Sequence, residues 1–150
     1  MRRRSSSEPL VERLDAAAYS IPAEQPESDG TYEWDRTIIV LVEAAAAVVR
    51  GTGYAYADVP TAALVEDKLA KVVIGRSAMN IPEAFVAMTE TIRNLGRPGV
   101  CSMAIAAVDA ALRPVSCSRR PPGHRRQAAP VRGCQRRVLA RADTPISAPV

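Results

Sequence analysis

The chain has 150 residues, 47% of them hydrophobic and 24% charged, which fits one domain of ordinary size. Its net charge of +4 conceals a division: residues 1–112 carry 11 basic and 15 acidic side chains, whereas residues 113–150 carry nine arginines and a single acid, Asp143. No apolar run approaches 18 residues, so no membrane-spanning helix is expected.

Met1–Ser7 has three arginines but no apolar stretch behind them, so no secretory signal is read there. Cys101, Cys117 and Cys134 form no CxxC pair. Neither a disulfide framework nor a zinc site is supported, and a reducing cytoplasmic location is expected. Residues 1–9 read as a disordered leader. Val11–Tyr19 then alternates in the manner of a modest strand. Pro22 and Pro26 interrupt it, and the Pro/Glu/Asp/Ser-rich stretch Ser20–Asp35 reads as a loop of about fifteen residues, a length usually functional or disordered.

Thr37–Glu43 (TIIVLVE) is β-branched and nearly all apolar, the clearest strand in the chain. Ala44–Ala47 favours helix locally, yet the strand-like Gly53–Ala57 follows soon after, so residues 37–57 are read as a hairpin with an Ala-rich turn. Three helices are expected next. Thr61–Val73 carries Leu64, Val65, Leu69 and Val72 on one stripe, with Gly75 just past its end. Asn80 and Glu83 have the spacing of a capping box, with Pro82 in the first turn of a helix that presents Phe85, Met88, Ile92 and Leu95. Val100–Leu112 is apolar nearly all round and reads as a buried helix. Three strands followed by three helices indicate an α+β fold, with helices on a three-stranded antiparallel sheet. Residues 113–150, with six prolines, read as a disordered tail.

Little catalytic chemistry is visible. Residues 10–112 contain no histidine, and their two lysines, Lys68 and Lys71, sit on the first helix; His124 lies in the tail. No Ser/His/Asp or Cys/His constellation forms within the fold, so no catalytic residue is assigned. Cys101 reads as a buried, inert thiol. Glu24, Glu27, Asp29, Glu33 and Asp35 match no EF-hand spacing and read as a solvated acidic loop, so no metal ligand is assigned. Gly51 and Gly53 are read as a turn, since no third glycine completes a dinucleotide fingerprint. Tyr32, Trp34, Tyr54 and Tyr56 are four of the six aromatics. They either pack on their own sheet or line a surface for a ligand or partner.

SDGTYEWDRTIIVLVE (28–43), GTGYAYAD (51–58) and above all IRNLGRPGVCSMAIAAVDAAL (92–112) resemble the amino-terminal capping domain of the mandelate racemase/muconate lactonizing enzymes, a branch of the enolase superfamily. The resemblance covers 19–112, and the domain is taken as residues 10–112. It implies a cap over a modified (β/α) barrel whose Mg²⁺ and Lys or His bases remove a proton α to a carboxylate, as in a racemase, epimerase or acid-sugar dehydratase, an isomerase or lyase. The implied substrate is a hydroxy acid or sugar acid. The cap would contribute two loops over it, here the Ser20–Asp35 loop with Glu27, Asp29, Tyr32 and Trp34, and the turn with Tyr54 and Tyr56.

In that family the last helix runs on through Trp-Asp-Leu-Lys-Ala into the barrel. Here Arg113-Pro114-Val115 follow, and the tail has the Arg/Pro/Ala-rich composition of a shifted reading frame. The chain is therefore expected to be a truncated or frameshifted relative, inactive alone and without Mg²⁺ of its own, prone to self-association through the surface a barrel would cover. The alternative is a small non-enzymatic binding module whose nine tail arginines contact nucleic acid. Against it stand the acidic folded part and a tail without aromatics for base stacking.

Overall fold

The computed structural model describes residues 8–117 and the pair 145–146. Strands β1 (Arg13–Ser28), β2 (Glu33–Ala46) and β3 (Val49–Tyr56) form an antiparallel meander. The chain continues through α1 (Val59–Leu64), a π-helical turn (Val65–Leu69), α2 (Ala70–Val73), α3 (Ile81–Thr91) and α4 (Val100–Cys117). A two-residue strand, β4 (Pro145–Ile146), pairs with Ala18 and Tyr19 of β1, giving the order β3-β2-β1-β4. The α+β architecture of strands followed by helices is as expected, with one short strand added.

TIIVLVE forms the middle strand, and its alternation decides which face meets the helices. Val40, Val42, Ala44 and Ala46 are buried on one face, in register with Ala18, Ala16 and Leu14 of β1 and with Ala55, Gly53, Gly51 and Val49 of β3. That face joins Val65, Leu69, Val73, Met88, Ile92 and Val108 in a single core. Packing burial rather than propensity sets this stretch, so Ala44–Ala46 belong to β2 and the turn is only Ala47–Val48, with Ala47 at φ 52.

Four expectations need correction. Ser20–Asp35 is not a long loop. β1 runs to Ser28, β2 starts at Glu33, and a register shift between Pro22 and Glu27 absorbs the prolines. Proline is tolerated in a strand whose outer edge needs no continuous ladder. Because β3 stops pairing at Ile39, the hairpin beyond that row is a two-stranded arm.

Gly51 and Gly53 are not a turn either. They lie within β3, where an added Cβ would overlap the carbonyl oxygens of Ala111 and Ala107 of α4. The glycines let the helix backbone rest directly on the strand.

The last helix does not stop at Leu112. It continues through Pro114 to Cys117, and Val115 and Ser116 are buried. A proline in the final turn removes one ladder bond while Val115 still reaches the core. The tail expected to be disordered also supplies β4 at Pro145–Ile146; its remaining residues, His124 and Cys134 included, lie outside the described residues, as do residues 1–7 of the expected leader. Its last two residues are held: Glu8 accepts a hydrogen bond from Ser77 Oγ at 2.6 Å, and the carbonyl of Pro9 accepts from the amide of Ala78 at 2.8 Å.

Finally, α4 is 18 residues long and apolar enough, by length and composition, to cross a membrane. It is not apolar on a buried surface all round: Ala104, Ala107, Val108 and Ala111 face the sheet, while Ser102, Met103 and Ala106 are exposed.

The helix signals hold well. Asn80 Oδ1 accepts from the Glu83 amide at 3.3 Å while its Nδ2 donates to Glu83 Oε2 at 2.9 Å. Asp58 caps α1 through the Val59 amide at 2.7 Å, and Gly75 follows α2 at φ 85.

Candidate substrate-capping site

The hairpin arm ends in the turn Asp29–Tyr32, and Asp29 organises it. Its Oδ1 accepts from the Thr31 amide at 2.9 Å, the Thr31 hydroxyl at 2.7 Å and the Tyr32 amide at 2.9 Å. Gly30 adopts φ 91, and its amide donates to Ser28 Oγ at 3.1 Å. The Thr31 hydroxyl, then the Thr31 and Tyr32 amides, hold the Asp29 carboxyl below its usual range, so it stays ionised.

This turn delivers Tyr32 next to Trp34. The rings stack at 6.2 Å between centroids with 16° between planes. Glu27 lies opposite Trp34 in the ladder, and its Oε2 accepts from the indole Nε1 at 3.0 Å. The indole is thereby fixed while Tyr32 remains 70% exposed. Behind the pair, Trp34, Arg36, Thr37 and Ile38 line a shallow concavity with Pro26. Asp35 and Arg36 are joined by two hydrogen bonds of 2.9 and 3.0 Å, which lower the Asp35 carboxyl and raise the Arg36 guanidinium.

Tyr54 and Tyr56 are the final residues of β3 rather than part of a turn. They meet edge to face at 6.0 Å and 85°. They are in register with Leu41 and Ile39, whereas Trp34, Arg36 and Ile38 alternate onto the other side of β2. The six residues singled out in the sequence thus form two groups: Glu27, Asp29, Tyr32 and Trp34 act as one unit at the tip of the arm, and Tyr54 and Tyr56 form a separate pair on the sheet's outer face.

The Glu27–Trp34 bond was hidden in the sequence because the prolines disguised the register. The tight contact of Gly51 and Gly53 with α4 was also missed. Its signal was present: glycines two apart on a strand and alanines four apart, Ala107 and Ala111, on an apolar helix. A second hollow, between α3 and α4, is apolar with Arg97 and Arg113 at its rim. Arg97 lies over the Phe85 ring at 5.4 Å and Arg113 pairs with Asp109 at 2.6 Å.

The domain model described as mandelate racemase/muconate lactonizing enzyme, N-terminal domain, matches residues 19–119. The chain belongs to that enolase-superfamily family, of which it carries the amino-terminal domain. A mandelate racemase/muconate lactonizing enzyme-like protein from Rubrobacter xylanophilus is 50% identical, with a TM-score of 0.67 over 69% of this chain and 29% of its own. A racemase from Streptomyces coelicolor A3(2) with bound magnesium is 28% identical, at a TM-score of 0.66 over 69% of this chain and 30% of its own. The muconate lactonizing enzyme of Pseudomonas fluorescens, complexed with muconolactone, shares the fold at 18% identity and a TM-score of 0.65, covering 75% and 32% of the two chains. No curated protein matches the chain. The chain thus spans under a third of the length of these relatives.

Magnesium accompanies the Streptomyces relative. Among the described residues no three His, Cys, Asp or Glu side chains gather where a metal could be held.

Proposed function

We propose that this domain is the substrate cap of a family member that removes a proton α to a carboxylate, a racemase, epimerase or acid-sugar dehydratase. The observation that carries the reading is the tip of the β1–β2 arm, where Asp29 sets the turn and Glu27 fixes Trp34 under an exposed Tyr32. An aromatic pair held together by Glu27 on a projecting hairpin excludes water and presses on the non-reacting end of a bound hydroxy acid or sugar acid when the arm is formed. Its acidic surroundings repel a carboxylate, so the reacting carboxylate points away from the arm. Proton transfer and any metal belong to a barrel outside this domain, because residues 8–117 offer no histidine and only the exposed Lys68 and Lys71.

The test places residues 8–117 in the Rubrobacter relative in place of its matching domain. A panel of hydroxy and sugar acids is then followed by deuterium exchange at the α carbon. We expect exchange in the chimaera, at least a tenfold fall in kcat/KM on Trp34→Ala, and none in the 150-residue chain alone with or without Mg²⁺. Exchange by the isolated chain, or a chimaera indifferent to Trp34→Ala, refutes the reading.

A further inference from the structure

We infer that the outer edge of β1 is a strand-acceptor edge, occupied by the chain's own segment at Pro145–Ile146, which keeps a second copy of this chain from pairing there. The edge of a sheet presents unpaired N–H and C=O groups that template another strand unless something blocks them.

Three features guard β1. Before it, Leu10 bridges Ser77, and Val11 exchanges hydrogen bonds with Arg76 and Gly75 at 2.9 and 2.8 Å. Towards the arm, Pro22 and Pro26 have no amide to donate, and the register shifts between Pro22 and Glu27. Between these guards lies Arg13–Ile21, nine residues with neither proline, glycine nor lysine. β4 pairs in this window, at Ala18 and Tyr19. It leaves five residues, Arg13–Ala17, on one side and two, Ser20 and Ile21, on the other, so a partner strand cannot run the length of the window.

β4 also suits the part of a stopper. It is two residues long and begins with proline, and short, proline-bearing strands are how natural sheets end an edge. The occupant that competes for the same window is Arg13–Ile21 of another copy. Run antiparallel about Ala17, it sets Arg13 against Ile21 and Asp15 against Tyr19, so no like charges oppose each other.

The experiment uses the full chain and its Ile146→Pro variant, which leaves β4 without an amide donor. Amide exchange over residues 13–21 is read by NMR, mass by light scattering across a concentration series, and folding of the core by circular dichroism. We expect the intact chain to be monomeric, against the self-association expected from the sequence alone. The variant should keep its circular dichroism, exchange at least tenfold faster at whichever of Ala18 and Tyr19 turns its amide to β4, and double in mass as concentration rises. A peptide of residues 142–150 in excess should restore both slow exchange and the monomer. The inference is overturned by unchanged exchange, by faster exchange without a change of mass, by growth past the dimer that the peptide does not reverse, or by an intact chain that is already dimeric.

Discussion

Replacing Gly53 with alanine should unfold much of the domain's margin of stability, because the obstacle is main chain. The new Cβ would overlap the Ala107 carbonyl oxygen and come within 2.7 Å of the Ala111 amide nitrogen and 3.0 Å of the Ala107 carbonyl carbon. Unstrained non-bonded heavy atoms stand about 3.5–4.0 Å apart, so α4 must lift by roughly 1 Å. A gap of that size forfeits a quarter to a half of the dispersion attraction along the seam formed by Ala104, Ala107, Val108 and Ala111, all fully buried.

Overpacking costs about 1–3 kcal/mol when side chains can yield, and a rigid helix backbone places this case at about 3 kcal/mol or above. For a domain near 100 residues that lowers Tm by roughly 12–24 °C. Gly51→Ala should behave alike, since its Cβ overlaps the Ala111 oxygen and comes 3.1 Å from Val115 Cγ2. Gly30→Ala is the control: unlike Gly51 and Gly53 it sits at positive φ, but nothing lies within 4 Å, so only backbone strain of about 1 kcal/mol is added. Urea unfolding of the three variants decides the matter. A Gly53→Ala protein within about 1 kcal/mol of the parent, or one rescued by Ala107→Gly, which spares the offending carbonyl, refutes the contact.

Other outcomes follow from single sites. Val115 is 2% exposed, so Val115→Ala should cost about 2 kcal/mol in urea unfolding, and ending the chain at Leu112 should cost at least as much while ending it after Cys117 spares this contact. Thr61 is fully buried and its hydroxyl has no hydrogen-bond partner among the described residues, so Thr61→Val should be neutral or stabilising by about 1 kcal/mol in thermal unfolding. Asp29 is held below its usual value of 3.8, so its contribution to the turn is present above that pH and is lost as pH falls through the lowered value. Emission from Trp34, the single tryptophan, should therefore change only below about pH 4 in the parent, and Asp29→Asn, which accepts the same bonds without titrating, should flatten that change.

The elements most legible in the sequence were those whose local chemistry and burial agree. TIIVLVE is β-branched and apolar, and it is the central strand. Asn80, Pro82 and Glu83 begin a helix as their spacing requires, and the order of strands before helices sufficed for the α+β class. Where local preference and tertiary context disagree, context prevailed. Ala44–Ala46 favour helix but are held extended by partners on both sides. Pro22 and Pro26 discouraged a strand, yet β1 runs through them where its register shifts between Pro22 and Glu27. At the arm, composition marked Tyr32, Trp34 and their acidic neighbours, while the pairing of Glu27 with Trp34 depended on a register that no local pattern encodes. Tyr54 and Tyr56 were conspicuous for the same compositional reason, but which face they occupy follows from their alternation along β3.

The arm itself has an energetic consequence. Past the Ile39–Tyr56 row, β2 has only β1 beside it, and the six residues Glu33–Ile38 reach about 20 Å outward at 3.3 Å per residue. A two-stranded ribbon is barely stable on its own, so this part of the hairpin forms a separate cooperative unit whose opening free energy lies far below that of the alanine-packed core. It can therefore melt and re-form many times while α4 and β3 stay closed. Amide exchange should therefore be slow in the body and faster in the arm, with the change falling past the Tyr19–Ile39 row.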